Sequence, residues 1–372
     1  MKENIDYLEK TDYSKMDFSN LFWNNFRKNA SQKRIPIHGH FELTPKCNFD
    51  CKMCYIHSKI NKVIKEKLSF FDWVKIIDEA IEAGMVFASL SGGECLLSPY
   101  FDKIYLYLKQ KGILVFILTN GFLLNEKMAL FSEYPPALIQ VSVYGWDDNS
   151  YEKVTGRRVY EKVNKNIILA KKCGLPISIA VTASRYLTSI YNIVKYFYKL
   201  NISVNVNKWL IPPYKSTGRC LEDINLSPEK QINIELEFLK ATNQKINKPY
   251  NGKLPSTGSS NMIRHYGLTC AAGRTDFSIN WKGEMCPCVS IPVTTGYPLI
   301  ESFFKAWKKT INFADEFELP IECFECEYRF VCKRCPAFHL STGKVGHCNT
   351  KACVECKMLV QKGIIKLKKE DD

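Results

Sequence analysis

Leu43-Thr44-Pro45-Lys46-Cys47-Asn48-Phe49-Asp50-Cys51-Lys52-Met53-Cys54-Tyr55 is the stretch on which the reading of this chain turns. Its cysteines follow a C-x3-C-x2-C spacing with no fourth cysteine nearby. Three thiolates on one tight loop can hold three irons of a 4Fe–4S cube and leave the fourth iron open to a ligand. Zinc prefers a closed set of four ligands, usually two separated pairs, so Cys47, Cys51 and Cys54 suit it poorly. A disulfide set and three unrelated buried cysteines are the other readings. Three cysteines within eight residues, directly after a β-type stretch, favour the cluster.

Outward from this loop the chain alternates. His40–Leu43 reads as a first strand that ends at the loop. Ser69 and Asp72 open a helix as N-cap and first-turn acid, and Trp73, Ile76, Ile77, Ala80 and Ile81 recur at helical spacing. Strands follow at 86–91, 113–119, 138–143, 176–183 and 202–209, with helices at 99–111, 125–133, 160–173 and 187–200. This gives six βα-type repeats over about 170 residues, so the strands should run parallel with right-handed crossovers. Sites in such folds lie at the C-terminal strand ends. The cluster loop, Ser91-Gly92-Gly93-Glu94, Thr119-Asn120-Gly121 and Ser142 all fall at or close to such ends. Glycines at such a place let backbone approach a ligand closely, and a carboxylate beside them can accept from a cationic amine.

Together these motifs resemble the radical S-adenosylmethionine (radical SAM) enzymes. The resemblance implies an α/β fold, a partial (β/α)6 barrel open on one side, with a 4Fe–4S cluster on Cys47, Cys51 and Cys54 that binds S-adenosyl-L-methionine. Gly92, Gly93 and Glu94 would hold the SAM amino group, and Asn120, Ser142 and Tyr55 would line its pocket. The reduced cluster would split SAM into methionine and a 5′-deoxyadenosyl radical that abstracts hydrogen. Cys95 stands where the family commonly has proline; it could donate a hydrogen atom or shape the pocket, with small-residue packing the simpler reading.

Ten of the 16 cysteines lie between Cys270 and Cys356. Alternation on either side of Trp281-Lys282-Gly283 reads as a β-hairpin. The order Cys270, Gly283, Cys288, then Cys323, Cys326, Cys332 and Cys335, then a closing cysteine resembles the SPASM extension of radical SAM enzymes. That implies two auxiliary 4Fe–4S clusters, with Cys270, Cys288 and Cys335 serving the first and Cys323, Cys326, Cys332 and Cys353 the second. Cys335 comes one residue early, and Cys286 is either a further ligand or a spare; Cys348 and Cys356 are open. A zinc knuckle on Cys323, Cys326, Cys332 and Cys335 is the competing reading, but its pairs stand close together and it leaves Cys270, Cys288, Cys348 and Cys353 unexplained. Cys173 and Cys220 read as small buried hydrophobes.

The expected organisation is an N-terminal arm (1–34), the barrel (35–225), a bridging helix and loop (226–265) and the SPASM-like domain (266–372). The 372 residues can bury a large core, and 46% hydrophobic with 24% charged residues is an ordinary globular balance. The start shows no secretory pattern and the longest apolar run, 112–118, is strand-sized, so a cytoplasmic protein without a membrane span is expected. In that compartment cysteines serve as metal ligands more often than as disulfides. The formal net charge of +14 permits an acidic partner, but the lysines are dispersed and no nucleic-acid motif is present. The resemblance implies a peptide or protein substrate, with crosslink formation in ribosomal peptides first and sulfatase maturation or epimerisation second. It also implies a low-potential electron donor such as ferredoxin or flavodoxin. A non-enzymatic iron–sulfur or zinc protein for electron transfer or regulation is the alternative from another class, although an electron carrier needs neither an open iron nor a Gly-Gly-Glu.

Overall fold

The computed structural model describes residues 18–56, 67–207, 224–244, 267–268, 270–291, 293–318, 320–323, 326–328, 332, 335–341 and 350–364. Cys220, Cys348 and all of the 245–265 part of the expected bridge lie outside the described residues.

Helix α1 (Phe18–Lys33) leads into strand β1 (His38–Glu42). There follow α2 (Phe70–Glu82), β2 (Phe87–Ser91), α3 (Phe101–Gln110), β3 (Leu114–Thr119), α4 (Met128–Glu133), β4 (Leu138–Val143), α5 (Asp148–Thr155), α6 (Tyr160–Lys172), β5 (Ile177–Thr182), α7 (Tyr191–Lys199) and β6 (Ser203–Asn207). Beyond them come α8 (Pro228–Ala241), β7 (Asp276–Ile279), β8 (Met285–Cys286), α9 (Pro298–Glu301), α10 (Phe303–Glu316), α11 (Pro336–Ser341) and α12 (Thr350–Gln361). The six parallel strands of the expected partial barrel are all present, in the order β6-β5-β4-β3-β2-β1. Ser69 and Asp72 make a reciprocal capping box at the start of α2, and Trp73, Ile76, Ile77 and Ala80 are its buried face.

Several details differ from the sequence reading. Residues 148–155 form an extra helix, capped by Asp147 and ended by Gly156 in the left-handed conformation. The 125–133 helix begins as a 3-10 turn at Leu124–Lys127. The helix expected from 187 starts at Tyr191, because Glu237 of α8 accepts the Ile190 and Tyr191 amides at 2.7 and 3.1 Å. Cys173 is exposed at the end of α6, not a buried small hydrophobe, since the helix terminates there and turns its last residue outward.

The largest difference is in the sheet. The hairpin of the C-terminal region forms, as β7 and β8, but β7 also pairs in parallel with β1, in register from His38↔Asp276 to Phe41↔Ile279. The sheet therefore has eight strands, and the C-terminal region is continuous with the barrel. Gly39 permits this. A side chain there would collide with Phe277, Phe41 and Met85. Phe277 is fully buried, 5.9 Å from Phe41 and 4.9 Å from Phe303 between ring centroids.

The two sheet faces differ: one is apolar at the strand centres, whereas the other mixes polar residues with Phe87, Phe116 and Leu118. Phe41, Leu90, Ile117, Val141 and Ile179 belong to the fully buried main core. Their strand neighbours point the other way, and register places His40, Ser89, Gln140, Ser142, Ser178 and Asp276 on that shared concave face. At one end of this face α1 lays Trp23 against Phe87, 5.8 Å between centroids. A smaller core of Leu268, Ala272, Ile291, Ala314, Phe317, Ala337 and Leu340 organises the C-terminal region, with Cys270, Cys288 and Cys335 against it.

Phe277→Ala should cost about 3–5 kcal/mol, the usual penalty for emptying a buried aromatic site. Denaturant unfolding would register the loss in the same transition that melts the barrel. A loss confined to a separate, earlier transition would mean that the C-terminal strand is not part of the barrel's cooperative unit.

Candidate active site

The cluster loop is clamped from two sides. On one side the Gly93 amide donates to the Thr44 carbonyl and the Glu94 amide to the Lys46 carbonyl, both at 2.8 Å. On the other, Asp50 and Lys52 amides donate to the Thr155 and Val154 carbonyls at the end of α5, both at 3.0 Å. Gly92 has φ +138°, a conformation reserved for glycine. A Cβ on Gly92 would overlap the Thr44 carbonyl, and one on Gly93 the Lys46 carbonyl. The two glycines thus let β2 approach the loop backbone.

Glu94 is buried, and both of its carboxylate oxygens accept hydrogen bonds. One carboxylate oxygen accepts from the Thr119 hydroxyl at 2.7 Å and the Leu96 amide at 3.2 Å; the other accepts from the Asn120 amide at 2.7 Å. Burial raises its pKa, against the pull of these donors. It therefore locks the ends of β2 and β3 together beside the loop. Cys95 is also fully buried, and its thiol donates to the Leu118 carbonyl at 3.3 Å, a packing arrangement.

Cys47, Cys51 and Cys54 lie close enough to raise one another's pKa as thiols. Burial first, then Glu94 and Cys54, push Cys47 up to about 11; burial, then Cys47 and Cys54, push Cys51 higher still. The Phe49 amide donates to the Cys47 sulfur at 3.4 Å, and the Asn120 side-chain amide points at the same sulfur from 3.9 Å. Asn120 also donates to Asn48 at 2.7 Å, which leaves the Asn48 amide nitrogen buried with no partner. A compact set of three thiols and an unpaired buried donor beside one of them fit a sulfur-bridged cluster.

Sequence reasoning missed three members of this site: Asn48, Tyr144 and Glu42. Tyr144 hydrogen-bonds Cys51 and Ser142. Its signal was available in the alternation, because it stands two residues beyond Ser142. The Tyr55 hydroxyl donates to Glu42 at 2.7 Å. Burial raises the Glu42 pKa to about 7, against the opposing pull of Tyr55 and His40.

Among the C-terminal cysteines, burial, then Cys335 and Asp276, raise Cys270; burial, then Cys270 and Asp276, raise Cys288. The structure thus brings Cys270, Cys288 and Cys335 together. Cys286 is pushed up to about 12 by burial, then by Glu42, Glu284 and Cys288, so it sits between the barrel mouth and this group. Cys326 and Cys356 both face Tyr328. Cys353 and Cys356, one helical turn apart on α12, share a face. Among the described residues no helix is long and apolar enough to cross a membrane.

Residues 41–188 match the family model of the Radical SAM superfamily. That domain implies a 4Fe–4S cluster and SAM. The chain is 23% identical to the antilisterial bacteriocin subtilosin biosynthesis protein AlbA of Bacillus subtilis over 69% of its own length and 56% of AlbA. It is 25% identical to the AdoMet-dependent heme synthase of Methanosarcina barkeri, over 80% of this chain and 90% of that one. Among solved structures, native anSMEcpe with bound AdoMet and Cp18Cys peptide has a TM-score of 0.65 at 18% identity, over 88% of this chain and 98% of that chain.

Glu42 carries a testable pH dependence. Its folded pKa lies above the ordinary value, so its contribution is complete below about pH 4.5 and is lost as pH rises through about 7. Between pH 5.5 and 8 unfolding free energy should fall by about 2 kcal/mol on this account. Glu42→Gln should remove that part of the slope; an unchanged slope would place the titration elsewhere.

Proposed function

From a radical SAM domain whose thiol loop is held in place before any ligand arrives, we propose that the chain reductively cleaves SAM and abstracts hydrogen from a peptide or protein, in the maturation of ribosomally made peptides. The observation that carries the proposal is the clamped Cys47/Cys51/Cys54 loop, opening onto a polar concave face. When bound to these cysteines, a 4Fe–4S cluster supplies the electron that splits SAM into methionine and a 5′-deoxyadenosyl radical.

The protein's own share is positioning. Thr44, Lys46, Val154 and Thr155 carbonyls fix the loop backbone that carries the three thiols. The Phe49 backbone amide and the Asn120 side-chain amide are directed at the sulfur of Cys47, stabilising negative charge there. Glu94 acts through Asn120 and Thr119: it sets the floor of the SAM pocket, and its fourth lone-pair direction is the one left for a SAM amine. Ser142 and Tyr144 line the adjoining strand end. Cys270, Cys288 and Cys335 form the ligand set of one auxiliary 4Fe–4S cluster, and Cys323, Cys326, Cys332 with Cys353 or Cys356 that of a second. The pairing of Cys335 with Cys270 weighs against a zinc knuckle, which needs Cys335 beside Cys323, Cys326 and Cys332.

A peptide substrate is supported by AlbA and by the peptide-bound anSMEcpe. A second reading, haem formation, is favoured by one specific observation: the heme synthase matches nearly end to end, whereas AlbA is almost twice as long as the part matched.

Anaerobically reconstituted protein should hold about twelve irons if three 4Fe–4S clusters form. With SAM and a strong reductant it should release 5′-deoxyadenosine and methionine. Replacing Cys47, Cys51 and Cys54 by alanine should remove about a third of the iron and all of the cleavage. Peptides encoded beside the gene should accelerate release and gain or lose mass; acceleration by a tetrapyrrole alone would select the second reading. A cluster-loaded protein that binds SAM without cleaving it would defeat both.

A further inference from the structure

His38 and His40 of β1 and Asp276 of β7 meet on the concave face, away from the thiol loop. One nitrogen of each ring and one Asp276 oxygen lie within 4.8 Å of one another. Asp276 Oδ2 stands 3.8 Å from His38 Nδ1 and 3.8 Å from His40 Nε2. Both separations exceed a normal hydrogen bond. They are close to the spacing of two ligands on one small cation. Bonds of about 2.0–2.1 Å in a tetrahedron put ligand atoms about 3.4 Å apart, so each Asp276–histidine separation need close by only about 0.4 Å.

The surroundings select the same atoms. The Ser89 hydroxyl lies 2.8 Å from His38 Nε2. It can accept from that nitrogen and leave the Nδ1 lone pair facing Asp276. Thr275 donates to Asp276 Oδ1 at 2.9 Å, which occupies the other oxygen and leaves Oδ2 for the site. Metal-binding imidazoles and carboxylates are oriented in this way by partners on their far atoms. The rings are tilted by 31° with centroids 4.3 Å apart, which sets both on the same side of the sheet. Each of the three side chains is about a quarter exposed. Water can therefore reach a remaining coordination position. Burial first, then His40, keeps His38 neutral with a pKa lowered to about 4; Asp276 opposes this and Arg27 adds to it. A neutral ring is the form that binds metal.

We propose that His38, His40 and Asp276 bind a divalent first-row transition ion through two imidazoles and one carboxylate, with an open position toward the lumen. The donor set has no sulfur, so the ion is distinct from iron held by the cysteines. It bridges the first strand of the barrel and the first strand of the C-terminal region, which pair at the same place. The assignment does not depend on the SAM reading.

Zinc is the probe. Cluster-loaded full-length protein, with its thiolates occupied by iron, is equilibrated with Zn²⁺, desalted and assayed for metal. The expected result is one zinc per chain whose X-ray absorption shows nitrogen and oxygen neighbours at about 2.0–2.1 Å. Asp276→Asn and His40→Gln should abolish retention, and Ser89→Ala should weaken it about 10–100-fold, as loss of an orienting partner does. Iron content should not change in any of them. No retained zinc, or a sulfur shell at about 2.3 Å, overturns the proposal. The absorption measurement needs no variant, so a misfolded substitution does not shelter the idea.

Discussion

Two backbone hydrogen bonds, from the Gly93 and Glu94 amides to the Thr44 and Lys46 carbonyls, carry the site. They demand that β2 end against the loop with no side chain between. Only glycine satisfies that demand at two consecutive positions. The same contact delivers the Glu94 carboxylate to Thr119 and Asn120, so the ends of β1, β2 and β3 become one unit. Asn120 then reaches across to Cys47 and Asn48. The cysteine geometry thus follows from a chain of short-range steric and hydrogen-bonding requirements.

Much of this was legible because it is local. The Ser69/Asp72 capping box, the 3.6-residue period of α2 and the strand positions all arise within a few residues. What escaped the sequence is non-local. The start of α7 is set by Glu237 on another helix. The partner of β1's free edge comes from more than two hundred residues away, at β7. The meeting of His38, His40 and Asp276 depends on that pairing, so scattered histidines gave no ligand spacing. The Gly-Gly-Glu motif was legible as a motif; what it did not disclose is that both glycines also let β2 approach the loop backbone at Thr44 and Lys46.

The concave face explains why the sheet is open. A closed (β/α)8 barrel fills its interior with branched apolar side chains. Here the inward positions include Ser89, Gln140, Ser142 and Ser178, and the Ser178 hydroxyl is buried without a partner. Small polar side chains cannot build a dense core. The apolar driving force is therefore carried by the opposite face, where Phe41, Leu90, Ile117, Val141 and Ile179 meet the helices. The parallel strands alternate because one face is reserved for solvent and ligand, whereas doubly covered parallel strands are apolar throughout.

The electrostatics of the loop follow from the same economy. Desolvation first, with neighbouring acids and thiols adding to it, raises both Cys47 and Cys51 and favours their protonated forms. Thiolates appear only when a metal supplies the compensating charge, so metal loading must release protons and grow stronger as pH rises. The polar atoms aimed at Cys47 are neutral amides of Phe49 and Asn120, which can stabilise sulfide or thiolate without pairing with it.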